Sequence, residues 1–269
     1  MNDRQASRRL SFNDRADNYR LARPAYPQRV YELLAEVCGL AEGAHVLEIG
    51  PGTGQATRRL LAEGGRVVAV EPGADLAAHL LADLDGPRLQ VVHSDVEAAE
   101  LGEGGFDLAV AATSLHWVRL DAALPKLAQA LRPGGWLAAW WTVFGDPERV
   151  TDFRLALSGL YERLLPHEYR HPASIPEPLR VESWSAALSA GGWFEVVRVE
   201  LIRWDHQLTS DGARRLFGSF PNINEMGVGE RDVFLDAIAS LVDGYGGCVA
   251  DPYVTALYLA RRPPARECR

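Results

Sequence analysis

Between residues 45 and 144 the chain repeatedly alternates a short apolar run with a helix-patterned segment. HVLEI leads through a glycine loop into TRRLLAEG, and RVVAVE leads into ADLAAHLLADL. LQVVHSD, FDLAVAAT, the helical DAALPKLAQALR closed by PGG, and WLAAWWTVF follow. Strands joined through helices return to the same end of a sheet, so they pair in parallel, and right-handed crossovers cover both faces with helices. The expected fold is therefore a doubly wound α/β sheet. Its ligands should sit outside the carboxyl ends of the strands, near the point where strand order reverses. At 269 residues the chain suits one such domain, or a core with an insertion.

Three divisions follow. Residues 1–43 read as an N-terminal helical lead-in, with Pro27 opening a helix through VYELLAEV. Residues 44–145 form the ligand-binding core. Residues 146–269 complete the sheet with two long strand candidates, EVVRVELIRWDHQ and PYVTALYLARR, which could pair antiparallel at its edge. Helical pieces on either side of PHEYRHPASIPEP and FPNINEMG supply a cap.

Composition removes several classes of partner. A net charge of -8 disfavours phosphate backbones and anionic membranes. The basic cluster Arg4, Arg8 and Arg9 is followed by polar sequence, so it is not read as a signal peptide. No apolar run approaches a membrane span. Cys38, Cys248 and Cys268 are scattered, which points away from a disulfide framework or zinc site and toward a reduced, cytoplasmic protein. A monomer or a homodimer is expected, and the sequence does not choose between them. HEYRH at 167–171 fits the zinc-protease spacing, but prolines flank it and no third ligand follows, so no metal is expected.

The loop EIGPGTG decides among ligands. Gly50, Gly52 and Gly54 permit a tight turn and close approach of backbone to ligand. A dinucleotide loop calls for glycine or alanine where Gln55 stands, and the phosphate-binding GxxxxGK[ST] pattern is absent. Glu48 precedes the loop, and an acid facing the ligand suits a cation such as the ammonium and sulfonium of S-adenosylmethionine. Glu71, at the tip of the second strand, is placed to accept both ribose hydroxyls, with Pro72 beside it. Asp95, after the third strand, could take an adenine amino group, with the Val96 amide on a ring nitrogen; capping a helix is the competing role for Asp95.

EIGPGTG, Glu71, the Asp95 loop, FDLAVAATSLHWV and LRPGGWLA, in this order, resemble class I S-adenosylmethionine-dependent methyltransferases over residues 44–142. The lead-in, with Tyr19 and RPAYP, resembles a subgroup acting on small molecules, including trans-aconitate-type enzymes. The resemblance implies a Rossmann-like sheet of seven strands, the last antiparallel, and S-adenosylmethionine as methyl donor with S-adenosylhomocysteine as product. It places the glycine loop and Glu48 at the methionine part, Glu71 at ribose, and Asp95 and Val96 at adenine. Tyr19 and Arg23 fall to the methionine carboxylate, and Thr113 joins the cofactor set.

The loop after the fourth strand, TSLHW, should face the transferred methyl group. It lacks the [DN]PP[YF] pattern of base-amine methylation, so a small organic acceptor is expected, with oxygen favoured and nucleic acid not. His116 is the candidate general base, weighed against a packing role. Tyr26, Trp117, Trp141, Trp204, Phe220 and Asn222 are candidate pocket walls. Trp140 and Trp141 should point to opposite sheet faces, so at most one reaches the pocket. Competing readings are a protein that holds S-adenosylmethionine without transferring its methyl group, and a nicotinamide dehydrogenase.

Overall fold

The computed structural model describes residues 22–264. Seven strands form one sheet in the order β3-β2-β1-β4-β5-β7-β6. The parallel half comprises β1 (His45–Ile49), β2 (Arg66–Glu71), β3 (Leu89–His93), β4 (Phe106–Ala112) and β5 (Leu131–Phe144). Strand β7 (Cys248–Arg261) lies antiparallel between β5 and β6 (Glu195–Thr209). This is the expected doubly wound, Rossmann-like sheet with its last strand antiparallel. Order reverses between β1 and β4, so a crevice opens at their carboxyl ends.

Alternation along the strands feeds two cores. Val46, Leu108, Val110 and Trp140 face one side, where α1 (Gln28–Cys38), α2 (Gln55–Ala62) and α3 (Ala74–Asp83) bury Leu34, Leu60 and Leu80. Leu47, Ile49, Ala109 and Trp141 face the other, where α4 (Leu120–Ala130) and α6 (Val181–Ser189) bury Leu124, Leu127 and Leu188. Trp140 and Trp141 thus occupy opposite faces, and both are buried. Strand β5 begins earlier than WLAAWWTVF suggests. Phe106 pairs with Leu131 and Leu108 with Trp136, so residues 132–135 bulge out, with Gly134 at φ +77° making the turn.

The cap forms a third core. Helices α5 (Asp152–Leu164), α7 (Ser210–Gly218), the short α8 (Pro221–Asn224) and α9 (Val228–Gly244) enclose Leu157, Phe217, Ile223, Phe234 and Ile238 against Tyr253 of β7. Arg154 on α5 ties cap to sheet through a two-pronged ion pair with fully buried Asp251; its Nε lies 2.6 Å from Oδ1. The HEYRH segment does not form the helix that paired zinc ligands require. His167 lies in the single turn Pro166–Glu168, and the His171 Nδ1 accepts the Ala173 amide at 3.2 Å. Among the described residues, no helix is long and apolar enough to cross a membrane.

Candidate functional site

A cavity of about 240 Å³ opens at the carboxyl ends of β1, β2 and β4. Gly50, Gly52, Glu71, Pro72, Val96 and Thr113 line it, together with Arg23, Tyr26, His116 and Trp117. The sequence therefore brings most of its candidates to one place. Tyr19 lies outside the described residues.

The glycines of the loop have different reasons to be glycine. A Cβ on Gly50 would sit 2.8 Å from the Ser114 Cβ, and one on Gly54 2.5 Å from the Leu80 Cδ1, so these two permit packing. A Cβ on Gly52 would meet nothing within 4 Å, although φ is +56°. Gly52 lines the cavity, so its missing side chain leaves room on the ligand side. Glu71 is held in place by the loop it serves. One carboxylate oxygen accepts the Gly52 amide at 3.0 Å and the other the Gly73 amide at 2.8 Å.

Two acids are placed differently from expectation. Glu48 does not face the cavity. It is 0% exposed, and neither carboxylate oxygen has a hydrogen-bond partner among the described residues. Strand alternation sends its side chain to the Val46 face, beneath α2, where the Thr57 hydroxyl is also unpaired. Burial pushes its pKa up to about 7, with Thr57 offsetting part of the rise and Glu71 adding to it. Asp95 is exposed and absent from the lining, where Val96 takes part instead. The Asp95 carbonyl accepts the amides of Ala98 and Ala99 at 3.0 and 2.9 Å.

Thr113, after β4, is the one non-glycine among the described residues with positive φ, +57°. A β-branched residue there is strained, and such strain persists where surroundings over-determine it. The Thr113 amide donates to the Trp140 carbonyl at 2.8 Å, and its hydroxyl lies 3.1 Å from the Tyr26 hydroxyl. Ser114 anchors the same turn by donating to the Ile49 carbonyl.

His116 does not have the geometry of a base. The Trp141 indole N–H donates to its Nδ1 at 2.9 Å. An indole nitrogen only donates, so this Nδ1 carries no proton, and the neutral ring bears its proton on Nε2. His116 keeps open surface in the cavity wall, while the Trp117 ring lies 4.6 Å and the Trp141 ring 6.4 Å away. Burial of the ring depresses its pKa. The group offered to a ligand is thus a donor. Trp141 itself is core, 3% exposed and 4.3 Å from Trp184, and meets the cavity only through His116.

The remaining wall candidates divide. Tyr26 and Trp117 line this cavity, whereas Phe220 and Asn222 line a neighbouring one. Trp204 lines neither; its indole N–H donates to the Thr255 Oγ1 at 3.1 Å across the β6–β7 ladder. Several lining residues were not singled out from sequence, Gln55, Leu76 and Pro221 among them. Gln55, noted there only for not being glycine, donates to the Arg23 carbonyl at 2.9 Å and fixes the lead-in over the loop. Leu76 and Pro221 also line the cavity, and Pro221 arrives from the cap, where no local pattern announces it.

A family profile described as a methyltransferase domain matches residues 46–135. An uncharacterized methyltransferase of Mycobacterium tuberculosis is 35% identical over 132 residues, covering 49% of this chain and 52% of that protein. The chain thus spans about half the length of the mycobacterial relatives it matches. A solved structure from Anaeromyxobacter dehalogenans, described as a candidate type II methyltransferase, is 26% identical, with a TM-score of 0.65 over 90% of this chain and 97% of that one. Phosphoethanolamine N-methyltransferase 2 of Haemonchus contortus, solved with phosphomonomethylethanolamine and S-adenosylhomocysteine, shares the fold. It is 16% identical, with a TM-score of 0.51 over 87% of this chain and 52% of that one. Residues 46–135 therefore match a methyltransferase domain, and the fold around them is similar to that of solved methyltransferase structures.

Proposed function

We propose that the protein transfers a methyl group from S-adenosylmethionine to a small organic acceptor, with oxygen the favoured atom. The observation that carries this reading is the cavity at the β1–β4 switch point, where Gly52 leaves an open cradle and the Glu71 carboxylate is locked at the tip of β2. These residues fit the donor: Glu71 for the ribose hydroxyls, Gly50 and Gly52 for close approach of the methionine part, Val96 for the adenine edge. When bound, S-adenosylmethionine supplies an electrophilic methyl on a cationic sulfonium, which an acceptor lone pair takes as the carbon–sulfur bond breaks and the electron pair returns to sulfur.

The chain's own contribution is placement. Holding a nucleophile close and aligned supplies most of the acceleration in such a displacement, so no base is obligatory. His116, with its proton on Nε2, can donate to an oxygen of the acceptor and aim it, while Trp117 walls the same space. An acceptor already ionised needs no proton removed; from a neutral hydroxyl the proton leaves to water. The oxygen preference rests on this donor and on the TSLHW loop, which lacks an amine-methylating pattern. The net charge of -8 favours a small acceptor over nucleic acid.

Calorimetric titration with S-adenosylhomocysteine, using NADH as control, tests the cofactor. Saturable micromolar binding of the first alone is expected. Binding without formation of S-adenosylhomocysteine from S-adenosylmethionine across an acceptor screen would instead favour a protein that holds the cofactor without using it.

A further inference from the structure

A second cavity, of about 640 Å³, lies beside the first, between the end of β5 and the cap. Its walls are aromatic. The Phe217 and Phe220 rings are 5.2 Å apart, Phe144 and Phe220 5.8 Å, and Tyr161 and Phe217 6.4 Å. The two cavities share a partition. Arg23, which lines the first, lays its guanidinium 4.9 Å from the Phe144 ring centroid and 4.6 Å from that of Phe220, both in the second. Along the adjoining turn, Pro221 faces the first cavity while Phe220 and Asn222 face the second.

The charges around this space largely cancel. Arg154 is paired with Asp251, and Asp146 with Arg149 and Arg203. Glu177 accepts the Trp184 indole N–H at 2.7 Å. Arg170 and Arg180 also line the cavity from exposed positions, and half-buried Glu168 carries the opposite charge. What remains are neutral polar groups. Ser158, Tyr161 and Asn222 line the cavity, and among the described residues their side chains make no hydrogen bond with the protein. Burial raises the Tyr161 phenol above its usual pKa, so it stays a neutral donor.

We infer that the second cavity is the acceptor chamber and takes an uncharged, flat aromatic molecule carrying hydroxyl or carbonyl oxygens. Flat rings match walls of Phe and Tyr, which prefer offset and edge contacts. Hydroxyl or carbonyl oxygens satisfy Ser158, Tyr161 and Asn222, whereas a carboxylate deep in the cavity would meet Arg154 already paired with Asp251. The inference rests on the methyl-transfer reading above.

Three ligands with one ring system separate these demands: 2-naphthol, naphthalene and 2-naphthoate, titrated by fluorescence into protein saturated with S-adenosylhomocysteine. We expect 2-naphthol to bind tightest, at least about tenfold better than 2-naphthoate, since leaving a charge unpaired in an apolar space is costly. Ser158→Trp should fill the chamber and abolish 2-naphthol binding with S-adenosylhomocysteine affinity unchanged. Asn222→Leu should weaken 2-naphthol by roughly fivefold, the worth of one hydrogen bond, and leave naphthalene unaffected. If S-adenosylhomocysteine binds while 2-naphthol does not saturate, or 2-naphthoate binds best, the chamber assignment is overturned and the methyl-transfer reading stands. Binding of 2-naphthol that neither substitution alters also overturns it. Failure of S-adenosylhomocysteine itself to bind removes the reading on which the chamber depends.

Discussion

Raising the pH through the weakly acidic range should destabilise the ligand-free protein, and Glu48 is the group responsible. It sits in mid-strand, 0% exposed, with both oxygens unpartnered. Burial lifts its pKa from 4.5 to about 7. The sign follows from which state gives up its proton first. The unfolded chain releases this proton near pH 4.5, while the folded state keeps it to about pH 7. The stabilisation from keeping Glu48 protonated is therefore complete below 4.5 and is lost across the interval up to about 7, with no further change above. Each pH step of one between those two values costs about 1.4 kcal/mol, so the whole loss is roughly 3 kcal/mol. Glu48→Gln removes the titration but leaves an amide in the same dry site, so its absolute stability is a poor readout. The informative quantity is the difference between the two proteins as pH changes. Urea unfolding followed by tryptophan fluorescence, from pH 4.5 to 8.5, should show the variant gaining about 3 kcal/mol on the parent across the window. Parallel stability curves would refute the assignment, because carboxylates common to both proteins cancel in the comparison.

Other expectations follow from the same geometry. Gly52→Ala should fold with a strain cost of about 1 kcal/mol at its positive φ, yet lose most S-adenosylhomocysteine affinity by calorimetry. Gly50→Ala, which must move Ser114, should lower the thermal midpoint more than Gly52→Ala does. Glu71→Ala should weaken S-adenosylhomocysteine by about 1.5–3 kcal/mol through loss of a charged hydrogen-bonding group, and unchanged affinity would place the ribose elsewhere. Trp141→Phe should free the His116 Nδ1 and let the neutral ring carry its proton on either nitrogen, read from the NMR shifts of the imidazole nitrogens; a ring still protonated on Nε2 alone would refute the role given to the indole. Arg154→Leu should cost about 3–5 kcal/mol in urea unfolding by leaving Asp251 buried and unpaired.

What the sequence discloses about this site depends on how local each part is. The glycine loop, Glu71 and Val96 directly follow strands whose order the strand–helix cadence dictates, so their convergence on one cavity follows from connectivity. The cap's contribution has no such support. Phe217, Phe220 and Pro221 reach the site only because the cap packs on Tyr253, a contact that no periodicity encodes. Strand parity has more reach than proximity to a motif. It separates Trp140 from Trp141, and applied to Glu48 it selects the Val46 face and the underside of α2, away from the ligand. Proximity to EIGPGTG suggests the reverse. Parity still cannot say what a buried polar atom does once inside. The Trp141 indole donates to His116 and thereby fixes which nitrogen of that ring carries the proton. That single hydrogen bond makes the residue best suited by sequence to be a base into a donor. Which nitrogen of His116 offers a proton to the cavity is thus set by a core tryptophan that does not itself line it.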